Sequence, residues 1–192
     1  AGRLVLWLVA DAGVGIFIGL AAGFVAEAMG VAAQMVGLPA GYAWASMVDP
    51  QTQADSGVLL VFAQLAAGLL FFALGLDREV VRVFARSLET LPPGTMVRAG
   101  ASVELAGRLG AGMFTTGLRL ALPAVALIAL VDVALALIGR LNQQLQLLTL
   151  SFPLKMLAAV AVLALTAPLF PRLLADYGGQ IMAALRAVVE QR

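Results

Sequence analysis

Four hydrophobic blocks, separated by shorter polar or proline-containing stretches, run along the chain. They cover about residues 4–29, 58–76, 118–139 and 145–170. Only the second block, with 19 consecutive uncharged residues, has the length expected of a simple membrane-spanning helix. No alternation of apolar and polar residues with the period of a strand persists beyond a few positions. The pattern therefore predicts an all-α fold.

Prolines interrupt the later blocks at positions 123, 153, 168 and 171. Proline lacks a backbone N–H and clashes with the carbonyl four residues before it, so it kinks or breaks a helix. Pro123 is expected to strain the helix at Arg119. We expect residues 1–192 to form a single domain of kinked hydrophobic helical hairpins, prone to aggregate without partners.

A segment between the second and third blocks is predicted to form an amphipathic helix. Arg78, Arg82 and Arg86 recur every fourth residue and share one helical face. Such a stripe is typical of a solvated face or of an orientation signal in a membrane protein. Leu91-Pro92-Pro93-Gly94 is expected to end the helix.

Three glycines in the first block, Gly15, Gly19 and Gly23, also share a helical face. Small residues at this spacing allow a second helix to approach closely, so they predict helix packing within a hairpin or between subunits. A phosphate-binding loop is disfavoured because no strand precedes them.

Charged residues within apolar sequence are the strongest polar anomaly. Asp132 and Arg140 lie eight residues apart, or about 12 Å along a helix, too far for a direct bond. Each is expected to find a partner on another helix of this chain or of a neighbouring subunit. A proton or ion relay is the alternative interpretation, because intramembrane carboxylates often serve that role. The predicted inter-helix polar anchors are Arg119, Asp132, Arg140 and Lys155.

The stretch from Gly37 to Gly57 has the composition of a loop, since its glycines and prolines disfavour a continuous helix. Its bulky apolar side chains allow two interpretations. They form an aromatic belt at a membrane interface, or they line a soft constriction that yields to a moving polymer. We call this stretch the predicted gate loop, and its candidate residues are Gly37, Gly41, Tyr42, Trp44, Met47, Asp49 and Pro50.

Composition supports a membrane or membrane-associated protein. The chain is 62% hydrophobic and 12% charged, with a mean hydropathy of +1.00. Twelve basic and 11 acidic residues leave no electrostatic footprint for nucleic acid. Cysteine and histidine are absent, which removes thiolate metal ligands and the commonest general base. We expect no enzymatic activity, cofactor or metal.

In the order of these features, the chain resembles the FliR family of flagellar export-gate proteins, called SctT in virulence type III secretion. The resemblance extends over nearly the whole chain. It is carried by Gly37-Leu38, Gly41 and Ala45-Ser46-Met47-Val48-Asp49-Pro50, by Ser87-Leu88-Glu89-Thr90-Leu91-Pro92, and by Leu120-Ala121-Leu122-Pro123, Asp132, Gly139-Arg140, Gln144-Leu145 and Phe152-Pro153-Leu154-Lys155.

The resemblance implies a subunit that joins FliP- and FliQ-like subunits and other export-apparatus proteins in the bacterial inner membrane. Unfolded secretion substrates would pass through this assembly, and the loop from Gly37 would help to close it. The family usually has a further pair of hydrophobic segments ahead of the point where this sequence starts, so we expect a form truncated at its N-terminus. The competing hypothesis is a small-solute or ion transporter with broken helices.

Overall fold

The computed structural model describes residues 2–42, 57–90, 99–141 and 147–190. Within these ranges every regular element is a helix, which confirms the all-α prediction. The elements are α1 (Gly2–Ala40), α2 (Val58–Ala73), α3 (Leu76–Thr90), α4 (Ala99–Leu141), α5 (Leu147–Thr166) and α6 (Phe170–Glu190), with a 3-10 turn at Ala167–Leu169 between α5 and α6.

Three stretches of helix are long and apolar enough to cross a membrane: Asp11–Ala40, Val103–Arg140 and Ser151–Val189. The helices α2 and α3 pass the same test only together, and they are bent by 64° at their junction. Gly75 lies at this bend with φ +69°, a conformation that glycine adopts without strain. The second apolar block is therefore one arm of a bent pair, and the prediction that it alone has the length of a simple membrane-spanning helix is wrong.

The longest helices, α1 and α4, pack closely against each other through small residues. A Cβ added to Gly117 would lie 2.8 Å from Cγ1 of Val31 and 2.9 Å from the Ala28 backbone oxygen. Ala28 and Ala121 are fully buried in the same core. Close approach of the two backbones therefore depends on Gly117.

The last helix, α6, closes the other side of the core by packing against α3 and α4. Its residues Leu174, Ile181 and Leu185 are almost completely buried. They lie seven and four positions apart, as expected of one face of an amphipathic helix. On α3, Val83 and Ser87 are buried while the arginine stripe is exposed, so the amphipathic prediction is confirmed.

The boundary predicted at Gly37 is wrong, because α1 continues through Pro39 to Ala40. The backbone N–H of Tyr42 donates to the Gly37 oxygen (3.0 Å) and that of Gly41 to the Leu38 oxygen (3.2 Å). Gly41 has φ +87°. These features define a Schellman cap, in which a left-handed glycine satisfies the last carbonyls of a helix. The loop therefore starts at Gly41.

The four later prolines are expected to kink or break helices, and two of them do not break theirs. Pro123 and Pro153 lie inside the continuous helices α4 and α5. Next to Pro123, Leu120, Ala121 and Ala124 are buried, and this packing offsets the roughly 3 kcal/mol that an internal proline costs. Near the other two prolines, the α-helical structure is interrupted by the 3-10 turn between α5 and α6, which contains Pro168 and precedes Pro171.

Candidate functional site

Two adjacent residues hold the base of the predicted gate loop against α5. Phe152 occupies the space beside Gly41, since a Cβ at Gly41 would lie 2.6 Å from its Cδ1 atom. The Tyr42 hydroxyl donates a hydrogen bond to the Met156 backbone oxygen at 3.3 Å. Phe152 and Met156 are one helical turn apart, so both contacts lie along the same side of α5.

Partial burial of Tyr42 raises the pKa of its hydroxyl above the ordinary value. The hydroxyl therefore stays protonated at neutral and mildly alkaline pH and keeps its ability to donate to α5. Tyr42 thus lies at the anchored base of the loop. The remaining predicted gate residues, Trp44, Met47, Asp49 and Pro50, lie outside the described residues.

Two of the predicted polar anchors form an ion pair with each other. The Lys155 ammonium on α5 contacts Oδ1 of Asp132 on α4. The Lys155 side chain is only 16% exposed, whereas that of Asp132 is 47% exposed. Asp132 therefore has its partner within the chain, and it offers part of its surface to further contacts.

One turn of α5 joins the loop base to this ion pair. Phe152 and Met156 contact the loop base, and Lys155 lies between them in sequence. A displacement of this turn relative to α4 would change both sets of contacts. The structure thus brings together residues that the sequence assigned to two separate sites.

The other two predicted anchors are exposed on α4. Arg140 lies one residue before the end of the helix, and it forms no ion pair with any residue in the four described ranges. Arg119 lines a cavity of about 420 Å³ between α4 and α6, together with Asp176 and Gln180. Both guanidinium groups remain available for contacts outside the chain.

The glycine stripe of α1 does not mediate packing among the described helices. A Cβ added to Gly15, Gly19 or Gly23 would meet nothing within 4 Å. The close contacts inside the chain are made instead at Gly112, Gly117 and Gly178. Packing of the stripe against another subunit stays a prediction.

Sequence reasoning missed an ionic bridge between α3 and α6. Oε1 of Glu79 accepts from Arg82 at 2.6 Å, and Oε2 of Glu79 accepts from Arg186. The spacing of Glu79 and Arg82 could have indicated the first contact, since residues three apart are neighbours on a helix. The second contact spans 107 positions and has no local signal.

The groups that the structure brings together are suited to holding helices in place. They comprise ion pairs, hydrogen bonds to backbone oxygens and close contacts at glycine. Within the four described ranges, no group of three or more carboxylates is placed to hold a metal ion.

Comparison with known proteins gives consistent similarities. The model of the family described as bacterial export proteins, family 1, matches residues 1–180. The flagellar biosynthetic protein FliR of Escherichia coli (strain K12) is 30% identical over 169 residues, which cover 85% of this chain and 63% of that protein. The protein of the same name from Pectobacterium carotovorum subsp. carotovorum is 30% identical over 159 residues, covering 82% and 60%. The chain spans less than two thirds of the length of these relatives.

Proposed function

The chain belongs to the bacterial export proteins, family 1, and from this premise we propose that it is a subunit of the type III, flagellar, protein export gate. In this proposal it forms part of the channel through which unfolded export substrates cross the inner membrane. The observation that carries the proposal is the family match over residues 1–180, together with relatives named for flagellar biosynthesis. The role is structural, and it requires no catalytic residue.

We further propose that FliP- and FliQ-like subunits cover the apolar surface of the chain. Several large apolar side chains are exposed, among them Leu69 at 73%, Val103 at 72% and Leu165 at 80%. Extended apolar surface of this kind is typical of sites that contact other proteins or lipid. The charged groups of Arg119 and Arg140 are also exposed along α4, and they favour a protein neighbour over lipid at those points.

The proposed gate element is the segment that starts at Gly41. Its fixed base at Gly41 and Tyr42 supports this role, because a constriction works only if its attachment to the scaffold is firm. Tyr42, Trp44 and Met47 would supply the apolar seal, which blocks water and ions by dewetting and still yields to a substrate.

Affinity purification tests the assignment directly. The tagged chain, extracted from bacterial membranes in mild detergent, is expected to co-purify with FliP- and FliQ-like subunits, and an untagged strain serves as the control. Recovery of the chain without detergent as a compact, monodisperse monomer would contradict the proposal.

Membrane permeability tests the gate role separately. Replacing Tyr42, Trp44 and Met47 together with glycine should increase leakage of small ions while the complex still assembles. Phe72→Ala, an exposed aromatic position on α2, is the matched control and should leave conductance unchanged. Unchanged conductance of the triple variant, with the complex shown to be present, would remove the gate role.

A further inference from the structure

A polar cavity of about 420 Å³ lies between α4 and α6. Gly112 lies in its wall, at a point where a Cβ would come within 2.8 Å of the Tyr177 ring. The two helices are therefore in close contact at this wall of the cavity. Its lining residues are Gly112, Thr115, Thr116, Arg119, Leu173, Asp176, Tyr177 and Gln180.

Two residues of opposite charge in this cavity have no ionic or hydrogen-bonding partner within the described part of the chain. Arg119 and Asp176 are both exposed, and neither forms an ion pair or hydrogen bond with a described residue. The hydroxyls of Thr115 and Tyr177, in contrast, donate to backbone oxygens of α4 at 2.9 Å and 2.6 Å. The groups left available in the wall are therefore the two charges and the side chains of Thr116 and Gln180.

A backbone acceptor on the same side of α4 also lacks its usual donor. Residue 123 is proline, so the Arg119 carbonyl cannot receive the helical hydrogen bond that an N–H at this position would supply. At 100° per residue, positions 112, 116, 119 and 123 lie on one face of α4. Arg119 thus presents a cationic donor and an open carbonyl acceptor on the face that carries the cavity.

The position of Arg119 makes exposure to lipid costly. It lies within the apolar stretch Val103–Arg140, which is long enough to cross a membrane. An ionised side chain at bilayer depth costs about 3 kcal/mol or more. A protein surface that supplies groups of complementary charge avoids this cost.

We propose that the cavity is the docking site for one helix of a neighbouring protein subunit, with a carboxylate that pairs with Arg119. The planar guanidinium fork matches a carboxylate in two parallel hydrogen bonds, which makes an acidic side chain the best-fitting partner. The same helix places donor groups against Asp176 and the Arg119 carbonyl. This inference rests on the proposed function, since it names the chemistry of a subunit contact within the export gate.

Cross-linking from introduced cysteines tests the contact. The chain has no native cysteine, so Thr116→Cys and Gln180→Cys each place a single thiol at the cavity. Each thiol is labelled with a maleimide that carries a photoreactive benzophenone, and on irradiation both positions should form adducts with one and the same protein subunit, through a peptide that contains an acidic residue. Phe114→Cys, exposed on the opposite face of α4, is the control and should not label that peptide. Absence of protein adducts from both cavity positions, in an assembled complex, would overturn the proposal.

Charge reversal distinguishes contacts of Arg119 and Asp176 with another subunit from an ion pair between these two residues. Arg119→Glu and Asp176→Arg should each reduce the cross-linked product at least about tenfold, and the double reversal should stay reduced because the partner's charges are still mismatched. Recovery of the product in the double variant would show that the two residues pair with each other. The exposed pair Glu104 and Arg108, reversed together, is the control and should leave the product unchanged.

Membrane levels of every variant are measured alongside, and Arg119→Gln should show a smaller loss than Arg119→Glu. If the unaltered chain fails to enter the complex, the proposed function fails. If it enters and both charge reversals cross-link normally, the proposed function stands and the docking site is wrong.

Discussion

Lys155 of α5 contacts Asp132 of α4 within a turn of α5 that also supports the base of the predicted gate loop. Lys155 is largely buried and Asp132 is about half exposed, so breaking the pair leaves the lysine in the less favourable position. The pair therefore links the stability of the α4–α5 contact to the position of the loop base.

Removing Asp132 should destabilise the chain more than removing Lys155. Asp132→Leu leaves a mostly buried ammonium without its partner, and we expect a loss of about 1–3 kcal/mol, between the values for exposed and buried pairs. Lys155→Met should cost less, because Asp132 is about half exposed and can make contacts outside the chain. The measurement is thermal unfolding of the purified complex in detergent. Equal losses for the two variants, or none, would contradict this asymmetry.

Arg140→Leu should weaken assembly and leave the fold of the chain unchanged. Arg140 is exposed, and it makes no ion pair with a described residue, so its expected partner lies on another subunit. We expect reduced co-purification of FliP- and FliQ-like subunits at equal membrane levels of the chain. Arg108→Leu, which removes an exposed pair within α4, is the control. Normal assembly of the Arg140 variant would remove it from the set of anchors.

Gly41→Ala should destabilise the chain more than Gly75→Ala. Both glycines have positive φ, so both alanines carry the backbone strain of a left-handed residue, about 1–2 kcal/mol. Only the Cβ at position 41 also meets a side chain, at 2.6 Å from Phe152, and overpacking adds about 1–3 kcal/mol. Phe152→Ala combined with Gly41→Ala should remove the additional loss, as measured by unfolding midpoints. Equal effects of the two single variants would disprove the close contact.

Alanine should have opposite effects at two glycines in α1 and α4. At Gly117 the new Cβ would lie 2.9 Å from a backbone oxygen, which cannot move aside easily, so we expect a less stable chain. At Gly19 nothing lies within 4 Å, and alanine should raise helix stability by up to about 1 kcal/mol. If the Gly15–Gly19–Gly23 face packs against another subunit, Gly19→Ala should also lower assembly. Unchanged assembly would leave these glycines without a packing role.

Local patterns predicted most of the helices correctly. The uncharged run from residue 58 and the arginine stripe from residue 78 depend on neighbours three and four positions away, which a sequence displays directly. The end of α1 differs from the predicted one, because the glycines and prolines from Gly37 onward do not by themselves end a helix, whereas the positive φ of Gly41 decides where the helix stops.

Contacts between distant positions could not be predicted in the same way. The charge on Asp132 indicated that a partner was needed, and Lys155 was recognised as a polar anchor, but nothing local paired the two. Likewise, the glycines that permit close packing in the chain, such as Gly117, differ from those with the regular spacing. Glycine spacing shows that a second helix can approach closely, and the packing of whole helices determines where such an approach occurs.

The attachment of Tyr42 to α5 also limits how far the segment between Tyr42 and Gly57 can extend from the helices. Fifteen Cα steps separate Tyr42 from Gly57 (57 − 42), where the Gly57 carbonyl accepts the first hydrogen bonds of α2. A chain of that length extends at most about 54 Å, so its midpoint lies within about 27 Å of each end. Every residue of the segment therefore lies within about 27 Å of Tyr42 or of Gly57, and any passage that the segment closes must run within that distance of one of these two residues.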